Sequence, residues 1–230
     1  MSIGPRTGVR WWNVYADPAR WARQGAAAET LLRWMTDHLP QPHPELGRPG
    51  PVCPFVRQSA NRRLVWAGAA AGGDELSAQR MHDIVEDALE VYRCHATAPD
   101  TGYSTLVTIF PELTRHDLID TVHLDRKTEV VRSGLMLGQF YPGCPVPGLW
   151  NRDFHPLDAP VPMLVLRPMM STDFPFLVAR TEWLYAYFTR MAPNLPRKLR
   201  WAIAERLTVT GPEAGRITDL RVHSTDEPAQ

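Results

Sequence analysis

Three side chains that can bind a metal recur at helical spacing in the middle of the chain. His116, Asp120 and His123 occupy positions i, i+4 and i+7 of a segment with helical character, so their side chains share one face. Two imidazoles and a carboxylate are the ligands of open non-haem iron sites. An exposed polar helix face produces the same spacing by chance. We predict a solvent-facing stripe that binds no metal, with the iron site as the alternative.

A cysteine in a proline-rich loop is the second candidate. Cys53 precedes Pro54 and Phe55, and its sulfur can serve as a thiolate ligand of iron or as a small buried apolar group. Cys94 and Cys144 make the cysteine count odd, without Cys-x-x-Cys spacing, which argues against a disulfide framework or a zinc knuckle. We predict that Cys53 is largely buried and unpaired.

The segment 138–177 has the composition of a ligand pocket. It is dense in Pro, aromatic and Met residues, and pockets combine apolar walls with a few polar groups. His155, Arg167 and Asp173 fall near its expected strand or loop ends. The Arg167 guanidinium can hold a ligand carboxylate through two parallel hydrogen bonds. The alternative is an ion pair with a structural carboxylate, Asp173 or Asp153.

The elements that position these residues are helices and short strands. Capping residues and apolar periodicity predict five helices: one from Asp17-Pro18 to Pro40, one capped by Asp74, and three near residues 114–133, 179–191 and 196–207. β-Branched and aromatic runs predict strands in 62–70, 103–110 and 163–167. These elements do not alternate regularly, so we expect an α+β fold with a small, mostly antiparallel sheet packed with several helices.

We expect one domain over residues 1–210, with an ordered Pro-rich loop at 39–60 and a polar, flexible tail at 211–230. The charges balance, with 25 basic and 25 acidic residues, so the chain lacks the broad positive field that captures nucleic acid. No apolar window reaches the length of a membrane span, and the N-terminal residues 1–14 contain no apolar stretch of signal-peptide length. We therefore expect a cytoplasmic protein without nucleic-acid or membrane partners. Its expected partner is a small-molecule substrate, and a homodimer is a candidate assembly.

Four runs of sequence resemble a family of actinobacterial and fungal domains: GPVCPFV, STLVTIFP, GLMLGQFYPG…GLWNRDF and PVPMLVLRPMMSTDFPFL. The resemblance covers roughly residues 45–190. The order of the motifs is more distantly similar to the YqcI/YcgG group. Characterised members of that group look like haem-dependent N-oxygenases, which act on the guanidine or side-chain amine of basic amino acids.

The distant resemblance implies a haem site whose axial ligand differs from that of the group. The group has a histidine directly after its apolar strand, where this chain has Arg167-Pro168. His155, Cys53 and Tyr141 then remain as candidate ligands, because imidazole, thiolate and phenolate can each hold haem iron. Arg167 would bind a carboxylate, of a haem propionate or of the substrate, and Asp173 would meet a substrate cation.

The resemblance thus implies a haem-dependent oxygenase that N-oxygenates a small amino-acid-like amine or guanidine in a biosynthetic pathway. One alternative is a non-haem metal oxygenase at His116, Asp120 and His123. The other is a cofactor-free binding or accessory protein.

Overall fold

The computed structural model describes residues 1–95 and 101–209. The chain divides into two compact units, Met1–Met169 and a second that begins at Met170. The expected domain over residues 1–210 includes the first unit and the described part of the second. The expected tail at 211–230 lies outside the described residues.

The first unit contains a six-stranded sheet of order β1-β2-β3-β4-β6-β5. Its strands are β1 Ser2–Ile3, β2 Arg10–Asn13, β3 Val65–Ala69, β4 Thr105–Ile109, β5 Leu135–Phe140 and β6 Met163–Pro168. The β3–β4 pair is parallel and the other four pairs are antiparallel. The α+β class with a mostly antiparallel sheet is therefore confirmed.

Helices cover both faces of this sheet because successive strand residues point to opposite sides. The first unit has helices α1 Pro18–Ala22, α2 Ala26–Arg33, α3 Val56–Asn61, α4 Ala78–His95 and α5 His116–Arg132. On one side, which we call the α5 face, Leu106 and Leu164 pack with α4 and α5. On the other side, the α2 face, Val107 and Met163 pack with α1 and α2.

The first predicted helix begins as expected but is not continuous. Asp17 caps α1, since its carboxylate accepts a hydrogen bond of 3.0 Å from the Arg20 amide. Gly25 has a φ of 108°, which a helix does not accept, and the chain restarts there as α2. The prediction of one helix through Gly25 is wrong because glycine adopts this backbone conformation without a steric penalty.

Asp74 does not cap α4 as predicted and instead binds the loop that leads into α5. Its carboxylate accepts hydrogen bonds from the backbone amides of Thr114 and Arg115, at 2.7 and 3.1 Å, directly before α5. Helix α4 is capped by Ser77, whose hydroxyl accepts from the Arg80 amide at 3.1 Å. Asp74 therefore ties the loop before α4 to the start of α5.

The sequence did not indicate β1, β2, β5 or α3. Strands β1 and β2 are too short to show a period, β5 runs into the Pro-rich segment that begins at residue 138, and α3 overlaps the end of the expected Pro-rich loop at 39–60. The rest of that loop is ordered, because the Val52 amide donates to the Gln41 carbonyl and the Cys53 amide to the Leu39 carbonyl, each at 2.9 Å.

Helix α4 carries a buried carboxylate on its apolar side. Asp87 is fully buried and accepts hydrogen bonds from the Arg6 and Thr7 amides, the Thr7 hydroxyl and the Arg6 guanidinium. A Cβ atom on Gly4 would lie 2.3 Å from an Asp87 oxygen. The N-terminal segment thus packs closely around this carboxylate, and Gly4 allows the close approach because it has no Cβ atom.

The second unit contains a 3₁₀ helix, Ser171–Phe176, and helices α6 Thr181–Met191 and α7 Arg197–Leu207. Both α-helices lie within the ranges that the sequence predicted. Arg200 donates to the Pro193 and Leu195 carbonyls, each at 2.9 Å, which fixes the turn between them. No helix within the described ranges is long and apolar enough to cross a membrane.

Candidate functional site

Ionisable and nucleophilic side chains meet at the end of β5, on the α5 face of the sheet. Tyr141 follows β5 and is buried. A tight turn then brings Cys144, also buried, back to it, with the Cys144 amide donating to the Tyr141 carbonyl at 3.1 Å. Gly143 permits the turn through its φ of 73°. Helix α5 contributes His116 and Asp120 from consecutive turns, since residues four apart share one side of a helix.

The Asp120 carboxylate is the polar centre of this cluster. Its Oδ2 atom accepts a hydrogen bond of 2.7 Å from the Tyr141 hydroxyl. Its Oδ1 atom is buried and has no hydrogen-bond partner in the described part of the chain. The His116 ring stacks on the Tyr141 ring, with centroids 4.7 Å apart and an interplanar angle of 27°. The Oδ1 carboxylate oxygen of Asp120 is therefore left unpaired beside the His116 and Tyr141 rings.

The environment keeps Tyr141 in its neutral form. Burial is the largest cause that raises the pKa of its phenol, followed by the hydrogen bond to Asp120 and the neighbouring Cys144 thiol. A phenolate here would lie next to a carboxylate and lose the hydrogen bond it donates. Tyr141 is thus a hydrogen-bond donor in this cluster.

His123 is buried and turned away from the cluster. Its Nε2 donates to the Leu137 carbonyl at 3.0 Å, on β5 at the edge of the sheet. Burial, with the nearby Lys127, lowers the pKa of His123 to about 4. The predicted solvent-facing stripe is therefore wrong for His123, because α5 packs this side of the helix against the sheet.

Two of the other predicted site residues lie on the α2 face. Cys53 is half-buried against that core and so less buried than predicted, and none of the three cysteines is in a disulfide. Arg167 lies over the Phe55 ring, 5.5 Å from its centroid, and donates to the Pro168 carbonyl at 3.0 Å. Neither residue shares a face with Tyr141, so the sheet separates them from the Asp120 cluster.

The remaining predicted residues are His155, in a loop, and Asp173, in the 3₁₀ helix of the second unit. His155 is exposed in the segment after Tyr141. Asp173 is buried in the second unit, where its carboxylate accepts from the Met170 amide at 2.7 Å and caps the 3₁₀ helix. At least one Asp173 oxygen therefore has a role in local backbone structure.

The three candidate haem ligands lie apart, so a haem would be held by only one of them. Tyr141 belongs to the α5 face and Cys53 to the α2 face, so one iron cannot reach both. The Tyr141 phenol is held neutral by Asp120, which opposes the phenolate that would ligate iron. An apolar cavity between α4 and the sheet has a volume of about 10 Å³, room for roughly one water molecule. Haem binding stays a prediction.

A non-haem iron site also lacks its ligand set. Because His123 binds the Leu137 carbonyl, it does not join His116 and Asp120. The described residues include no group of three or more His, Cys, Asp or Glu side chains arranged to hold a metal ion. The helical spacing that suggested a metal therefore positions two of its three residues around Tyr141 instead.

The sequence suggested His116 and Asp120 together as metal ligands and Tyr141 separately as a haem ligand, and did not bring the three together. It missed Cys144 as their neighbour. The Tyr-Pro-Gly-Cys turn signal was present, because Pro and Gly together favour a reversal. The pairing of β5 with α5 was not visible in the sequence.

A family model matches residues 28–202, most of the chain. The chain belongs to the family described as Domain of unknown function (DUF6875). Comparisons with curated proteins and with solved structures gave no match. The residues of the DUF6875 match include the whole Asp120–Tyr141 cluster.

Proposed function

We propose that this DUF6875 protein binds a small organic cation, an amine or a guanidine, at Asp120. One observation carries the proposal: the Asp120 Oδ1 atom is buried without a hydrogen-bond partner in the described residues, while Oδ2 is paired with Tyr141. A buried acceptor left unpaired costs about 1–3 kcal/mol, and more when it is charged. A ligand that donates an N–H to Oδ1 removes this cost.

The surroundings of Asp120 suit a positive charge. The carboxylate supplies the opposite charge, and the stacked His116 and Tyr141 rings lie beside it. Aromatic faces attract cations through their quadrupole. His116 and Asp120 are both half-buried, so the cluster lies next to the protein surface, and a small ligand need not cross the core.

The proposed ligand class agrees with the chemistry that the sequence resemblance implies. N-Oxygenation acts on an amine or guanidine, and a binding carboxylate would orient that group. Oxygenation in a cytoplasmic biosynthetic pathway belongs to the proposal as its reaction. Cation binding at Asp120 does not depend on it and is tested alone.

The experiment compares charged and neutral ligands of one shape. Butylamine, butylguanidine and the neutral butylurea are titrated into the protein by calorimetry. We expect the two cations to bind, butylurea to bind more weakly, and Asp120→Asn to weaken cation binding about tenfold or more, as loss of a charge-assisted bond predicts. The matched control is Asp117→Asn, an exposed carboxylate on the same helix. Equal binding of butylurea, or unchanged affinity in Asp120→Asn, refutes the proposal.

A further inference from the structure

The two oxygens of Asp120 differ in what they can offer a ligand. Oδ2 already accepts from the Tyr141 hydroxyl at 2.7 Å. Oδ1 is the oxygen without a partner among the described residues. Tyr141 is held neutral by burial and by this same bond, so its hydroxyl keeps its proton and keeps Oδ2 engaged.

Guanidines and amines use a carboxylate differently. A guanidinium is a planar fork, and its strong pairing consists of two parallel N–H···O bonds, one to each carboxylate oxygen. At Asp120 this pairing would compete with Tyr141 for Oδ2. An ammonium is a compact charge with three rotatable donors, and it can bind a single oxygen without displacing anything.

A second acceptor for an ammonium lies one helical turn away. His116 precedes Asp120 by four residues on α5, so the two side chains are neighbours. Within the described ranges no group hydrogen-bonds to either ring nitrogen of His116, whose ring contacts Tyr141. A neutral imidazole offers one acceptor nitrogen, which can take a second ammonium hydrogen.

We infer that the Asp120 site selects a primary amine over a guanidine, and that Tyr141 sets this selectivity by occupying Oδ2. The inference rests on the proposed binding of a cation at Asp120. It makes Tyr141 a specificity-determining residue.

The test is the ratio of two affinities within each protein. In the wild type, butylamine should bind about tenfold more tightly than butylguanidine, since the guanidine can form only one of its two charge-assisted bonds. Tyr141→Phe frees Oδ2, so the ratio should fall several-fold or reverse. The matched control is Tyr15→Phe, which removes another buried tyrosine hydroxyl, on the α2 face, and should leave the ratio unchanged.

A second measurement needs no variant. Butyltrimethylammonium keeps the positive charge but has no N–H donor, so it should bind the wild type far more weakly than butylamine. If neither butylamine nor butylguanidine binds, the proposed function fails. If both bind through Asp120 but the guanidine binds more tightly, or Tyr141→Phe leaves the ratio unchanged, the selectivity inference is overturned and cation binding stands. Equal affinity for butyltrimethylammonium and butylamine overturns the inference as well.

Discussion

Asp87 is a charged residue inside the apolar side of α4, and its hydrogen bonds explain why it is there. Burial alone would raise the pKa of Asp87, but the bonds from Thr7 and Arg6 outweigh burial and lower it. A buried carboxylate is retained when several donors replace the water it loses. Asp87 therefore holds the N-terminal segment, including β1, against α4.

We expect Asp87→Ala to destabilise the protein by roughly 3 kcal/mol, the low end of the range for breaking a buried ion pair, because Arg6 stays partly exposed. The depressed pKa adds a pH dependence: the stabilisation is present above the unfolded pKa of about 4 and is lost as pH falls below it. Urea unfolding at pH 7 and in acid measures both effects. Glu90→Gln, which breaks an exposed pair with Arg6, should change little. A small loss for Asp87→Ala at pH 7 would contradict this account.

His123 is a basic group, but its burial also makes the folded protein less stable as the pH falls. Its folded pKa of about 4 lies below the usual unfolded value of about 6.5, so the unfolded chain binds the proton more readily. The stabilisation is complete above about pH 6.5 and is lost as pH falls towards 4, by on the order of 3 kcal/mol in all. His123→Gln should remove this part of the pH dependence of unfolding. His155→Gln, at an exposed position, is the control, and an equal effect of both would count against the buried imidazole.

At the scale of elements, two loops approach each other at Gly47. A Cβ on Gly47 would lie 2.7 Å from the Trp150 carbonyl oxygen, and Gly47 has a φ of 75°. Gly8 has a similar φ of 72° but open space around it. In both alanine variants, strain in the left-handed backbone conformation should lower the free energy of unfolding by about 1 kcal/mol. Gly47→Ala should lower it further, because the Trp150 backbone must move away from the new Cβ atom. Thermal unfolding compares the two variants. Equal losses of stability would show that the loops rearrange around the added Cβ at no cost.

The parts of the fold that the sequence predicted are those with strong local signals. Helix α5 lies in a run without Pro or Gly over residues 112–133, and β4 is rich in β-branched residues ended by Pro111, so both were located closely. Strand β2 has four residues, too few to show a period. It exists because its neighbours pair with it, and Trp11 on β2 donates to the Thr108 hydroxyl on β4 at 3.1 Å.

The sequence indicated the residues of the site but not how they are arranged. His116 and Asp120 stood out by type and spacing, and Tyr141 stood out as a candidate ligand through the resemblance. Their meeting depends on α5 packing beside β5, a contact between segments about 20 residues apart that no periodicity encodes. Asp74 shows the same limit, since this aspartate before α4 binds the loop that leads into α5.

At the scale of the whole molecule, the separation of the candidate haem ligands by the sheet has a spectroscopic consequence. A haem would be held by one of the three candidates, because Cys53 and Tyr141 lie on opposite faces of the sheet. We therefore expect haemin to give a saturable one-to-one Soret shift that only one of Cys53→Ser, His155→Gln and Tyr141→Phe abolishes. Absorption titration of the wild type and the three variants measures this. A wild type that shows no stoichiometric shift would contradict haem binding.

The sheet ends at β5, and an open edge is a template onto which another chain can add a strand. The Gly134 carbonyl faces β6, since it accepts from the Met169 amide. Carbonyls alternate along a strand, so the Leu137 carbonyl faces away from β6. The His123 ring occupies that carbonyl. Extension of the sheet by a second copy or by an aggregating neighbour would first have to displace a buried imidazole, so His123 protects the protein against edge-to-edge self-association.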